Sequence, residues 1–325
     1  MHWMEQLTAL GGVASRRQLL AAGATSDALT EAVRAGLLFR PRRGSYASLA
    51  ASDAALEAAR SGGRLCCVSA ARSYGLWAGT DQRTHIRVAR HATRLPYTLA
   101  VRHWMPAERP GREIWRDSID DCLVSVVHCA DEETAVAVLD TAISAGLTSL
   151  QAIGELFAGE SVRARAVAAK ARPGSDSGVE SIVRQRLTKA GHLVEQQIGV
   201  AGVGRVDLRV DGRLYIEIDG YAWHSDRGAF ERDRARDTGL AMYGFLRLRF
   251  PARDVLEHWP DVGRIIETVL AAPDVTGPRT GQPFVQPELA DRTPKERARL
   301  RTPTRSSLAT PRFRASGDQT MLSSR

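Results

Sequence analysis

The segment 205–224, RVDLRVDGRLYIEIDGYAWH, constrains the fold of this chain more than any other stretch. Apolar and polar residues alternate over 206–210, as they do in a strand with one buried face. Asp211-Gly212 follows, a dipeptide that closes a tight two-residue turn because glycine tolerates a positive φ at no steric cost. A mainly apolar return strand then covers 214–218. The pattern predicts a β-hairpin.

Three carboxylates interrupt the apolar pattern of this hairpin. Asp207 lies on the first strand, and Glu217 and Asp219 lie on the second. Residues two apart on a strand point to the same face, so Glu217 and Asp219 share a face, and the hairpin brings Asp207 near them. Because Glu217 sits between Ile216 and Ile218, its charge needs a partner if it is buried. Such oxygen clusters hold hard divalent cations; the alternative is three solvated acids around a turn.

Asp207 followed by Glu217-Ile218-Asp219 resembles the acid pattern of the PD-(D/E)xK nucleases. The longer region 177–271, which includes IEIDGYAWH and FLRLRF, is similar to bacterial domains of unknown function related to the very-short-patch repair (Vsr) endonucleases. The resemblance implies metal-dependent cleavage of a phosphodiester bond, with Asp207 and Glu217 as ligands of Mg²⁺ or Mn²⁺. It also implies that His224 is an acid/base group or a phosphate contact and that Glu180, on an upstream helix, supports the site.

The second acid of the motif is followed two positions later by Asp219, where the nuclease family has a lysine. An aspartate cannot supply the cation, so it would orient water or help to hold the metal. His224 or Arg205 would compensate, or the site would be catalytically weak. Vsr enzymes resemble zinc proteins in their Cys and His ligands, but this sequence has no cysteine after Cys129, so we predict no structural zinc. Ser177 lies three residues before Glu180, which is the spacing of a helix-capping box. Capping of this helix is therefore as good an explanation of Glu180 as a role in the site, and the two roles are compatible.

The first 47 residues read as three short helices followed by a strand, a turn and a return strand, the order of a winged helix. Ser15 and Ser26 are the expected helix caps. This part resembles the N-terminal domain of AbiEi-type antitoxins, which implies DNA binding. The arginines expected to contact phosphates, rather than being merely solvated, are Arg16 and Arg17 on the second helix and Arg40, Arg42 and Arg43 on the wing.

The middle of the chain carries weaker signals. Strands are predicted at 85–88, 99–102 and 123–127, and helices at 69–77 and 131–145. The region also resembles the continuation of AbiEi-like proteins. Four histidines are scattered across it, and we expect them to be separate strand or surface residues rather than a metal site: His85, His91, His103 and His128.

A charged helix is predicted at 226–242, after the hairpin. Its arginines belong to a solvated face with i, i+4 pairs, or Arg232 and Arg236 face a scissile phosphate. The last segment, 273–325, is rich in Pro, Thr, Ser and Arg and is predicted to be disordered. It holds 10 of the 45 basic and 5 of the 37 acidic residues, so it carries most of the net charge of +8.

Together these patterns predict an α+β protein in four parts. They are a winged-helix domain (1–48), an AbiEi-like α/β middle region (49–172), a restriction-endonuclease-like mixed sheet flanked by helices (173–272) and the disordered tail (273–325). No segment of the sequence reaches about 18 consecutive apolar residues, so we predict no membrane span. The four cysteines form no disulfide framework, so we expect a reduced, cytoplasmic protein.

Two functions that involve DNA remain open from the sequence, besides a third in which the C-terminal domain binds a protein partner and keeps its acids only as remnants. One is a Mg²⁺-dependent DNA endonuclease whose winged helix delivers the DNA. The other is an antitoxin-like DNA-binding regulator with a weak or inactive nuclease fold. A toxin partner or a homodimer belongs to the second hypothesis and is not indicated by any residue pattern.

Overall fold

The computed structural model describes residues 2–90, 92–93, 98–105, 111–200, 204–220 and 246–272. His224, Arg232, Arg236, the predicted helix at 226–242 and the predicted disordered tail lie outside these residues. The described residues form helices and three small sheets, which confirms a mixed α+β fold. Within them, no helix combines the length and the apolar character needed to cross a bilayer.

The N-terminal part consists of three helices and a three-stranded sheet. Its elements are α1 (His2–Ala9), β1 (Val13–Ser15), α2 (Arg16–Ala21), α3 (Ser26–Arg34), β2 (Leu38–Phe39) and β3 (Ser45–Ser48). The strand order is β1-β3-β2, with both pairings antiparallel. Ser15 caps α2 as predicted. Thr25 rather than Ser26 caps α3, because the Thr25 hydroxyl accepts the backbone N–H of Ala28.

The middle part contains six helices and a second sheet. Its elements are α4 (Asp53–Ser61), β4 (Arg64–Leu65), α5 (Cys67–Ser73), β5 (His85–Val88), β6 (Val101–Trp104), α6 (Ile119–Cys129), α7 (Glu132–Ser144), α8 (Leu150–Phe157) and α9 (Val162–Ala168). In this sheet β4 and β5 are antiparallel and β5 and β6 are parallel.

The strand predicted at 123–127 is wrong, because these residues lie inside α6. The Ser118 hydroxyl accepts the N–H of Asp121 and starts the helix. Cys122, Leu123 and Val126 then fall on one buried helical face. A short apolar run with β-branched residues fits either period, and here the core selects the helix.

The C-terminal part holds the predicted hairpin. Its elements are α10 (Gly178–Ala190), β7 (Val194–Val200), β8 (Gly204–Val210), β9 (Leu214–Asp219), β10 (Leu246–Pro251), α11 (Ala252–Glu257) and α12 (Trp259–Ala271). The order is β10-β9-β8-β7; β7, β8 and β9 form an antiparallel meander, and β10 is parallel to β9. Asp211 and Gly212 have φ values of 48° and 70°, which confirms the tight turn between β8 and β9.

The three parts pack on one another through specific contacts. The indole Nε1 of Trp115 donates to the backbone oxygen of Leu10 at 2.7 Å and joins the first two parts. Asp140 on α7 is fully buried and accepts hydrogen bonds from Ser181 at 2.6 Å and Arg184 at 2.8 Å, both on α10. These buried contacts fix α10 of the C-terminal part against α7 of the middle part.

Candidate functional site

The sheet register brings two of the predicted acids opposite each other. Leu208 pairs with Ile216 across the antiparallel β8–β9 pair. The next position in the same register sets Asp207 opposite Glu217. Directly opposed residues point to the same face of a sheet, so the two carboxylates occupy one face as the hairpin predicted.

Glu217 is nearly enclosed, with 8% of its surface exposed. Its Oε2 accepts from the guanidinium of Arg247 on β10. Its Oε1 is also buried, and it has no hydrogen-bond partner among the described residues. A buried carboxylate oxygen without a partner is costly, so this atom is the strongest sign in the site that a further group binds there.

Asp207 is half-buried and is tied to the same strand as Glu217. Its Oδ2 accepts the backbone N–H of Ile218 at 2.9 Å. Burial raises the pKa of Asp207, and the neighbouring charge of Glu217 raises it further, although the Ile218 hydrogen bond and Arg205 act in the opposite direction. The site therefore concentrates negative charge that a cation would relieve.

Glu180 lies behind these acids in the first turn of α10 and is buried. Its Oε2 accepts the N–H of Asp176 at 2.9 Å and the side-chain amide of Gln197 at 2.8 Å. Burial, and then the charge of Asp207, raise the pKa of Glu180 to about 7. Ser177 does cap this helix, but the Glu180 carboxylate accepts the N–H of Asp176 rather than that of Ser177, so Glu180 does not close the capping box that the sequence offered as an alternative.

Gln197 is a member of this site that the sequence did not indicate. The pairs Gln196 with Leu208 and Ile198 with Val206 on β7 and β8 set Gln197 opposite Asp207. Its φ is +54°, a left-handed conformation that is uncommon for a residue other than glycine. Its Oε1 is buried without a hydrogen-bond partner among the described residues.

Asp219, which stands where the resemblance to PD-(D/E)xK nucleases leads one to expect a lysine, is paired with an arginine. The Nε of Arg249 donates to both of its carboxylate oxygens, at 2.6 and 2.7 Å. The cation beside Glu217 is instead Arg247, two residues earlier on β10. Arg205, the other compensating cation suggested by the sequence, contacts Asp176. The sequence signal for these two arginine partners was the alternation in FLRLRF, which sets Arg247 and Arg249 on one face of the strand.

The acids do not form a tight triad. Of the residues that the structure describes, the one group of three potential ligands whose donor atoms all lie within 4.8 Å of one another is Cys67, His85 and Cys129 in the middle part. The acidic site is therefore a facing pair, Asp207 and Glu217, with Glu180 behind it.

Five arginines of the N-terminal part were predicted to contact DNA, and all five are exposed. Two are held by neighbours: Arg16 donates to the Ser26 hydroxyl at 2.7 Å, and the guanidinium of Arg40 lies 5.1 Å from the centre of the Tyr46 ring. Arg42 lies against Gly62, where an added Cβ would collide with its guanidinium. No hydrogen bond or ion pair of the described residues ties down the side chains of Arg17 and Arg43.

A comparison of the chain with protein-family models gives no match, and a comparison with curated proteins gives none either.

Proposed function

We propose that this protein is a metal-dependent DNA endonuclease whose site is the facing pair Asp207 and Glu217. The observation that carries the proposal is the buried Glu217 Oε1, which has no hydrogen-bond partner among the described residues and lies on the face that Asp207 shares. The mixed sheet flanked by helices supports it, because the resemblance to restriction-endonuclease-like domains implies such a core.

The side chains of this site fit Mg²⁺ or Mn²⁺ better than a soft metal. The donors are carboxylate oxygens, and Mg²⁺ is commonly held by one or two of these together with substrate phosphates. Asp207 and Glu217 would hold the ion. Bound there, it would polarise a phosphoryl oxygen and lower the pKa of a water ligand.

The remaining residues of the site have supporting roles in this proposal. Arg247 supplies the positive charge beside Glu217 that the family's lysine supplies elsewhere. Glu180 orients Gln197, whose Oε1 has no hydrogen-bond partner within the described part of the chain and is an acceptor for a water molecule. Asp219 holds Arg249 and so keeps the second β10 arginine in place. His224, Arg232 and Arg236 keep the roles that the sequence suggests.

The test is Mg²⁺-dependent nicking of supercoiled plasmid DNA by the purified full chain. Asp207→Asn and Glu217→Gln should each lower the nicking rate by at least about 100-fold, because each removes a metal ligand. Asp211→Asn is the matched control, since it alters an acid of the same hairpin at a turn position that asparagine also favours. Equal rates in all four proteins would refute the assignment.

A second function is favoured by the arginine pairs of β10. Glu217 already contacts Arg247 and Asp219 already contacts Arg249, so the acids are neutralised within the protein. This supports an antitoxin-like regulator that binds DNA without cutting it. Such a regulator would shift a DNA fragment in a gel, and Asp207→Asn would leave its affinity unchanged.

A further inference from the structure

A group of potential metal-ligating side chains lies in the middle part of the chain, outside the acidic site of the C-terminal part. Cys67 begins α5, His85 begins β5 and Cys129 ends α6. One donor atom from each of these residues lies within 4.8 Å of both others. The Sγ of Cys129 is 3.4 Å from the Nδ1 of His85.

A second imidazole joins this group from β6. The Nε2 of His103 lies 3.1 Å from the Nδ1 of His85 and 3.8 Å from the Sγ of Cys129. The two rings are stacked, with centroids 5.2 Å apart and planes at 26°. The expectation that these histidines are separate is therefore wrong for His85 and His103, because the parallel pairing of β5 and β6 brings them together.

Two of the separations have the scale of a tetrahedral zinc site, and a third, 3.1 Å between His85 Nδ1 and His103 Nε2, is slightly shorter. With Zn–S bonds of about 2.3 Å and Zn–N bonds of about 2.0–2.1 Å, neighbouring ligand atoms around zinc are roughly 3.3 to 3.8 Å apart. The distances from Cys129 to His85 and His103 fall at this scale. Two sulfurs and two imidazole nitrogens also make one of the common ligand sets for structural zinc.

The second coordination sphere is in place as well. The other ring nitrogen of His85, Nε2, lies 3.3 Å from Oδ2 of Asp81. Metal-binding histidines commonly donate their second N–H to a carboxylate, which fixes the ring and its tautomer. Asp81 is itself held, because the Nε of Arg83 donates to Oδ1 at 3.0 Å and another guanidinium nitrogen donates to Oδ2 at 2.7 Å.

The backbone at Cys67 is held in an unusual conformation. Its φ is +50°, in the left-handed region that favours glycine. Its N–H donates to the Ser125 hydroxyl at 2.8 Å, and its carbonyl accepts from the thiol of Cys122. A strained backbone conformation of this kind persists where the surroundings fix it, and such residues cluster at functional sites.

We propose that Cys67, His85, His103 and Cys129 form a structural zinc site that ties together α5, β5, β6 and α6. This proposal replaces two sequence-based predictions, that of no structural zinc and that of no metal site among the histidines of the middle region. Cys129 and His103 are half-buried, which gives an ion a path from solvent. A bound zinc would join elements separated along the chain and would stabilise the middle part without taking part in DNA cleavage.

The experiment measures zinc in the full chain, expressed with added zinc and purified without chelators. Elemental analysis should give about one zinc per chain, as expected for one closed four-ligand site. Cys129→Ser and His103→Gln should each lose most of it. The controls are Cys66→Ala, a buried thiol at the adjacent position, and His128→Gln, a histidine on α6 whose ring contacts Glu160; both should keep the zinc.

Cobalt substitution of the unmutated protein keeps the test independent of whether the variants fold. Co²⁺ in a site with two thiolates should show the visible bands of tetrahedral coordination and a thiolate charge-transfer band. Chelation of the zinc should lower the midpoint of thermal unfolding. A folded chain with no zinc and no tetrahedral cobalt spectrum overturns the proposal. Zinc that stays in Cys129→Ser and His103→Gln overturns the ligand assignment.

Discussion

The guanidinium of Arg247 on β10 contacts the carboxylate of Glu217 on β9, and their side chains are only 12% and 10% exposed. The pair joins β10, the outer strand of the described C-terminal sheet, to its parallel neighbour β9. It neutralises one oxygen of Glu217 and leaves the other, Oε1, without a hydrogen-bond partner among the described residues. In the proposed metal site, one oxygen of this carboxylate would pair with Arg247 and the other would hold the cation.

Loss of Arg247 should be costly for stability. Arg247→Met keeps much of the side-chain length and leaves the buried Glu217 charge uncompensated, which should lower the free energy of unfolding by about 3–5 kcal/mol. Arg249→Met is the matched control, because its pair with Asp219 is more exposed and should be worth about 1 kcal/mol or less. Urea unfolding of both variants measures the difference, and equal losses would contradict the burial argument.

Glu180 makes stability depend on pH in an unusual direction. Its pKa is raised from 4.5 to about 7 in the folded chain, so the folded state binds more protons than the unfolded state between these values. The contribution of Glu180 to the free energy of unfolding is therefore greatest below pH 4.5. It falls by on the order of 3 kcal/mol as the pH rises toward 7. Glu180→Gln should flatten this fall in unfolding curves collected across the range. Asp207 shifts in the same direction, so a smaller slope will remain. A variant with the full slope would contradict the assignment.

Part of this architecture followed from the sequence because its causes are local. The turn at Asp211-Gly212 and the alternation around it specify the hairpin, and the apolar neighbours of Glu217 indicate that its charge needs a partner. The partner itself was not identified, because the β9–β10 pairing joins segments separated by residues 220–245. The cluster of Cys67, His85 and Cys129 was missed for the same reason, since its members come from separate elements.

Replacing Asp140 should destabilise the contact between the middle and C-terminal parts. Besides its two bonds to α10, it accepts the backbone N–H of Arg172 at 2.7 Å. Asp140→Ala leaves Arg184 buried and uncompensated and should lower the free energy of unfolding by about 3–5 kcal/mol. Glu132→Ala is the control, because this acid lies on the same helix in an exposed pair with Lys170. Similar losses in the two variants, measured by chemical denaturation, would show that the buried network is not decisive.

The proposed binding of DNA by the N-terminal part should depend on the exposed arginines of that part. Replacing both Arg40 and Arg43 by alanine should weaken binding and reduce the slope of log affinity against log salt by about 2, since each phosphate contact contributes about 0.9. Arg264→Ala is the control, because it removes an exposed arginine from α12 that pairs with Asp261. Fluorescence anisotropy at several salt concentrations gives both slopes. An unchanged slope in the double variant would exclude these residues from the interface.

The most direct test of the nuclease proposal is the anomalous scattering of Mn²⁺ in crystals of the full chain soaked with MnCl₂. The proposal predicts a peak bonded to Oε1 of Glu217 and to the carboxylate of Asp207, and loss of that peak in Glu217→Gln. A well-ordered site that shows no peak between these carboxylates, with Arg247 still in contact with Glu217, would contradict it.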